Sequence, residues 1–172
     1  SLVPNLLKNL QENIKNFDEV KIYEIGRTYK DIDKYYPLEE KKITGAILIK
    51  EKSDKPFYEA KGVVEEIFTK FNVANTKISK EVAKSHAHPA KAISYLTHDA
   101  QTLAEVFMLH PAVSKNHDLQ NYSIAFFDIN FTQLVKISEA APEKSYKKIA
   151  RFPSIKIDVS VLVDKTIEIA KI

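Results

Sequence analysis

The 172-residue sequence contains no cysteine. That excludes disulfides, thiolate zinc sites, iron–sulfur ligation and thiol catalysis, without identifying a compartment. Glycine is nearly as scarce, at Gly26, Gly45 and Gly62 only, and phosphate-cradling loops need backbone to approach the ligand closely at several neighbouring positions. No such loop can be written, nor a Gly-x-Ser-x-Gly elbow, a His-Glu-x-x-His zinc helix or a kinase signature. Arginine occurs only as Arg27 and Arg151. No apolar run approaches the roughly 20 residues that cross a bilayer. The opening SLVPNLLKNLQ lacks the basic start, long apolar centre and cleavage site of a signal peptide. The expected location is the cytoplasm, with no membrane partner.

What is present is the composition of a globular domain, 44% hydrophobic and 28% charged. The net charge of +3 comes from lysines spread among acidic residues, a pattern that neither requires nor excludes nucleic acid. Val3, Leu7, Leu10, Ile14 and Phe17 recur in steps of four and three, with Leu2 and Leu6 widening the stripe, which predicts an amphipathic helix over 2–16 with Ser1 as N-cap and Pro4 in its first turn. Two strands are expected at 20–29 and 43–49, separated by KDIDKYYPLEEKK, then a helix over 57–71. Further strands are expected at 76–82 and 91–97, with 102–109 as the return arm of a hairpin around HDAQ. Pro111 opens a short helix, YSIAFFDINF reads as a nearly all-apolar buried strand, and TQLVKI as a helix after it. SEAAPEKSYKK reads as a linker and SIKIDVSVLV, residues 154–163, as a last strand. The order predicts an α+β domain on a largely antiparallel sheet, followed by the opening of something else.

The chemistry-bearing residues each have a plain alternative. His86 and His88 have the spacing of two ligands on one strand face, but a third would have to come from His98 or Asp99, and a surface or turn role is favoured. His110 before Pro111 fits helix entry. Asp31 and Asp33 could hold magnesium but sit beside Lys30 and Lys34 as solvated carboxylates would. The stripe Val3, Leu6, Leu7, Leu10, Ile14 and Phe17 is either core or a subunit interface, and its near-3.5-residue spacing and breadth favour the interface, left bare in a lone chain.

Taken together, SLVPNLLKNLQENI, VKIYEIGRTY, FYEAKG, HAHPAKAI, LHPAVSKNHDL and YKKIARFPSIKIDVSVLVD resemble, in order and at close to the same spacing, the C-terminal half of the β subunit of bacterial phenylalanine–tRNA ligase. The resemblance implies a class II synthetase-like antiparallel sheet flanked by helices over residues 1–147, without an active site. It further implies that 148–172 begin a truncated ferredoxin-like anticodon-binding domain. The implied role is non-catalytic: the module docks the catalytic α subunit, the helix stripe joins a bundle between subunits of a heterotetramer, and tRNA(Phe) is bound through the full β subunit. ATP and magnesium would then be held by the α subunit, with no cofactor or metal in this chain, and the isolated fragment would self-associate. Departures fall at Asn5 and Phe107, where the family has glycine, and at Lys156 to Asp158, where it has Arg-Arg-Asp.

The α subunit resembles the stretch around Arg27 with Gly-Arg-Val-Tyr-Arg-Arg-Asp, in which the arginine after tyrosine binds phosphate. Here that position is Lys30, a point charge in place of a planar donor fork, and Ile32 stands where the acidic residue should. Arg27 thus matches a structural arginine in a vestigial strand, paired with Glu59, Glu24 or a helix C-terminus, or simply solvated. An active ligase with an unorthodox ATP site, or a free-standing RNA-binding or regulatory module, are the competing readings.

Overall fold

The structure is a computed structural model that describes residues 1–30, 36–142, 152, 155–164 and 166–167. The chain divides into two compact units, Ser1–Ala141 and Pro142–Ile172. In the first unit the elements are α1 (Val3–Asn13), β1 (Glu19–Lys30), β2 (Leu38–Ile49), α2 (Lys55–Lys70), β3 (Lys77–Ser79), β4 (Ala87–Leu96), β5 (Thr102–Leu109), α3 (Pro111–Asn116), β6 (Ser123–Asn130) and α4 (Phe131–Ala140). The strands form one six-stranded sheet in the order β1-β2-β6-β5-β4-β3, every pair antiparallel.

Strand alternation gives the sheet two covered faces. On one, α1 and the segment around α3 pack over Leu48, Phe107, Ile124 and Phe126. On the other, α2 sets Ala60, Val64 and Phe68, and α4 sets Leu134, against Ile47, Val106, Phe127 and Ile129. Strand β6 is buried on both faces, which explains its unbroken apolar run.

Helix α1 forms where its periodicity predicts but ends at Asn13 rather than at 16, and its first residues pack differently. Leu2 occupies the N-cap position without a side-chain cap, while the Ser1 hydroxyl accepts a bond from the Val3 N–H at 3.3 Å. Val3, Leu6, Leu7 and Leu10 are fully buried in the chain's own core. The expectation of a strip bare in the lone chain is therefore corrected, because the cover for this stripe is the sheet beside it. A helical apolar period states that one face needs a cover but not which chain supplies it. Beyond Leu10 the cover ends: Ile14 is half-buried and Phe17 is exposed.

Other expectations shift at their edges. Strand β2 begins at Leu38, not 43, and the strand expected at 76–82 shortens to Lys77–Ser79. Strand β4 starts at Ala87, with a register shift between Ala87 and Ala92 around Pro89, whose missing N–H cannot join a ladder. Thr97 and Gln101 close the β4–β5 hairpin as expected. Ser138–Ala140 belong to α4, so the linker cannot start at Ser138, and the rest of it from 143 lies outside the described residues. The final strand is also corrected: 155–164 form no strand and are exposed, although Ile155, Ile157, Val159, Val161 and Val163 alternate. Among the described residues no neighbouring strand pairs with this alternating segment, so its exposed backbone is left to water.

One glycine is sterically required. Gly45 faces Tyr23 across β1–β2 and Phe127 across β2–β6, and a Cβ there would overlap the Phe127 ring. The aromatic ring lies over the bare backbone of its cross-strand partner, covering it. Gly45→Ala is expected to cost about 1–3 kcal/mol by overpacking, read from urea unfolding. Phe127→Leu should recover part of that cost in the double variant, as contacting residues couple.

Candidate functional site

The residues singled out at the end of β1 fall on both faces of the sheet, since Arg27 and Lys30 differ by an odd number of positions. Arg27 Nε lies 3.1 Å from Glu39 Oε1, and Lys30 Nζ lies 3.3 Å and 3.1 Å from the two Glu40 carboxylate oxygens. Thr28, nearly buried between them, donates its hydroxyl to the Glu40 carbonyl at 3.3 Å. The partners expected for Arg27 are corrected: Glu24 accepts from Asn5 Nδ2 at 3.2 Å, and Glu59 pairs with Lys21 at 2.9 Å. Both strand-end cations are thus occupied by β2, though as exposed pairs they contribute little to stability.

A stronger arrangement lies on the α1 side of the sheet. In the β2–β6–β5 register Thr44, Asp128 and Glu105 stand side by side on neighbouring strands. Asp128 is 7% exposed, accepts from Thr44 Oγ1 at 2.9 Å, and lies 3.2 Å from Lys42 Nζ. Lys84, from the loop before β4, reaches Asp128 at 2.6 Å and Glu105 at 2.5 Å and sits 5.3 Å from the Phe107 ring centroid. Burial alone would raise the Asp128 pKa, but Lys84 and Lys42 outweigh it and hold the carboxyl below its ordinary value. Burial would likewise discharge Lys84, yet Asp128 and Glu105 raise its pKa. His86 is the reverse case: burial, with Lys84 nearby, lowers its pKa, and its Nε2 has no hydrogen-bond partner beside Phe107. Two carboxylates and two ammonium groups neutralise one another here.

Sequence reading missed this network. Its one visible signal is the carboxylate in SIAFFDIN, a charge inside an otherwise buried run, which demands a partner. The less favoured reading of His86 and His88 as a ligand pair gains no support, since His86 lies against the Phe107 ring. His88 Nδ1 accepts the Ala90 N–H at 3.1 Å, His98 is exposed beside Asp99 at 3.5 Å, and His110 caps α3 through the Ala112 N–H at 3.1 Å. Among the described residues no three His, Asp or Glu side chains converge as a metal site, and Asp31 and Asp33 lie outside those residues. A cleft of about 470 Å³ runs past Lys52, Asp54, His88, Lys91 and Tyr122. Its cations are engaged, Lys52 by the Gln120 and Tyr122 carbonyls and Lys91 by Asp54 at 2.6 Å.

Comparison with known proteins agrees with this architecture. Residues 1–131 match the family described as the phenylalanyl tRNA synthetase beta chain CLM domain. The phenylalanine–tRNA ligase beta subunit of Listeria monocytogenes serotype 4b is 32% identical over 184 residues, covering all of this chain and 22% of the relative. That of Geobacillus kaustophilus is 29% identical over 178 residues, covering 98% of this chain and 22% of the relative. The chain thus spans about a fifth of the length of these relatives. Among solved structures, the pyrrolysyl tRNA synthetase PylSc of Desulfitobacterium hafniense superimposes with a TM-score of 0.64 at 14% identity, over 82% of this chain and 50% of that one. That likeness shows the synthetase-type fold alone.

Proposed function

The chain belongs to the phenylalanyl-tRNA synthetase β-chain family, and from that membership we propose that it is a non-catalytic module that docks the catalytic α subunit and supports tRNA(Phe) charging by the ATP-dependent holoenzyme. The observation that carries this reading is the state of the strand-end cations. A nucleotide phosphate would need a free, planar donor fork at the Lys30 position. Lys30 is a single ammonium already set on both oxygens of Glu40, and Arg27 is turned to the other face and paired with Glu39. These described residues therefore do not fit ATP, which in this reading belongs with its magnesium on the α subunit.

Docking would use what α1 leaves uncovered. Phe17 and Ile14 extend the helix stripe past its buried part, while Val3, Leu6, Leu7 and Leu10 act indirectly by holding the helix on the sheet. Contact with tRNA(Phe) would come through the full β subunit. Two measurements test the reading. The isolated chain should give no phenylalanine-dependent ATP–pyrophosphate exchange, and it should co-purify with the cognate α subunit, less so after Phe17→Ser. Exchange above background that Lys30→Ala abolishes, or no capture of the α subunit by a folded chain, would overturn it.

A further inference from the structure

We propose that β1 is a pairing edge for a second copy of this chain, joined antiparallel about Ile25 to give one continuous sheet across a two-fold axis. This goes beyond the α-subunit reading and does not depend on it. Strand β1 is at the edge of the sheet, and among the described strands its one neighbour is β2. The Lys50 N–H donates to the Asp18 carbonyl at 3.0 Å at the start of that ladder. Since antiparallel pairs alternate, the odd residues from Glu19 to Tyr29 turn their N–H and C=O groups away from β2. The edge has few of the usual protections: β1 is long, contains no proline, and keeps an unbroken register from Glu19 to Lys30. The same odd positions carry exposed apolar side chains, Tyr23 at 72%, Ile25 at 51% and Tyr29 at 61%. Lys21 and Arg27, the cations that would repel another edge, are neutralised by Glu19, Glu59 and Glu39.

The strand is self-complementary when centred on Ile25. A two-fold axis normal to the sheet keeps each face continuous, so odd residues must meet odd residues. Centred on Ile25, it sets Tyr23 opposite Arg27 and Lys21 opposite Tyr29, twice each, with Ile25 on Ile25. Cations then lie against aromatic rings, a favourable cross-strand pairing. The other face pairs Val20 with Lys30, Ile22 with Thr28 and Glu24 with Gly26, with no like charges opposed. Centring on Glu24 instead would oppose Glu24 to Glu24 and Lys21 to Arg27. Centring on Gly26 shortens the overlap and leaves Arg27 against Ile25. Helix α1 lies over both β1 and β2. With strands about 4.8 Å apart, two such helices would stand about 10 Å apart across the axis, an ordinary helix-packing distance.

Sedimentation equilibrium of the full chain across a concentration series should show a monomer–dimer equilibrium. Ile25→Lys, which places two cations at the axis, and Ile25→Pro, which removes an N–H pointing away from β2, should each raise the dissociation constant about tenfold or more while circular dichroism stays unchanged. Because the chain has no cysteine, single nitroxide labels can fix the register. Labels on Ile25→Cys should lie close together, and those on Lys21→Cys roughly 27 Å apart, eight residues along a strand. A monomer at every concentration would overturn the proposal, as would a dimer indifferent to both Ile25 variants, or equal label distances. Protection of β1 amides only after the cognate α subunit is added would assign the edge to that subunit instead.

Discussion

A chain combining Leu7→Ser with Leu10→Ser is expected to lose its cooperative fold. Both leucines are buried between α1 and the sheet, Leu10 at 0% exposure. Truncating a buried leucine costs about 2–5 kcal/mol through lost transfer energy and the cavity left behind, and each serine adds a hydroxyl facing Leu48, Phe107 and Phe126. Adjacent sites are not strictly additive. Even so, the combined loss is comparable with the roughly 5–15 kcal/mol that holds an ordinary domain together. Near-ultraviolet circular dichroism and thermal melting should show a collapsed or unfolded chain. Phe17→Ser, in the same stripe but 57% exposed, should stay within about 0.5 kcal/mol of the parent. A double variant that melts as sharply as the parent would mean the stripe is not core, and that its burial comes from the partner after all.

That contrast shows where sequence pattern stops carrying information. The period of α1 fixes which face is apolar, and both a partner helix and the chain's own sheet satisfy it, so Leu7 reads the same in either case. Strand β6 was legible because burial on both faces leaves an unbroken apolar run. The start of β2 was not: LEEKK, Leu38 to Lys42, lies where neither face is well covered, so the alternation fades though the ladder to β1 continues. With that end read as loop, Glu39 and Glu40 could not be placed opposite β1, and the true partners of Arg27 and Lys30 stayed hidden. Three-strand geometry was equally out of reach. Nothing local in the sequence brings Lys42, Lys84, Glu105 and Asp128 together, because their convergence follows from the order β2-β6-β5 and from the path of the loop before β4. SIKIDVSVLV failed in the opposite sense, since alternation states a preference that only a neighbouring strand can satisfy.

The Asp128 network should respond most sharply to removal of its centre. Asp128→Ala leaves Lys42 and Lys84, both largely buried, without their shared acceptor, and breaking a buried ion pair from one side costs about 3–5 kcal/mol. Asp128→Asn keeps an oxygen for the Thr44 hydroxyl but loses the charge, and should cost less. Replacing Asp128, Glu105, Lys84 and Lys42 together with Leu, Leu, Met and Met removes all four charges in one step and should be near neutral or stabilising. Acid should reproduce the loss. The Asp128 carboxyl titrates below its ordinary value in the fold, so its contribution is complete above the unfolded carboxylate value of about 3.9 and disappears as pH falls through the folded value. His86, also depressed, acts earlier: the unfolded chain takes up its proton first, and stability falls once pH drops below about 6.5. Urea midpoints should therefore decline in two stages on acidification. His86→Gln should remove the first, and the fourfold apolar variant should flatten the second. A parent chain whose midpoint does not change from pH 7 down to 3, or an Asp128→Ala chain as stable as the parent, would mean these charges are solvated and the network contributes nothing to the fold.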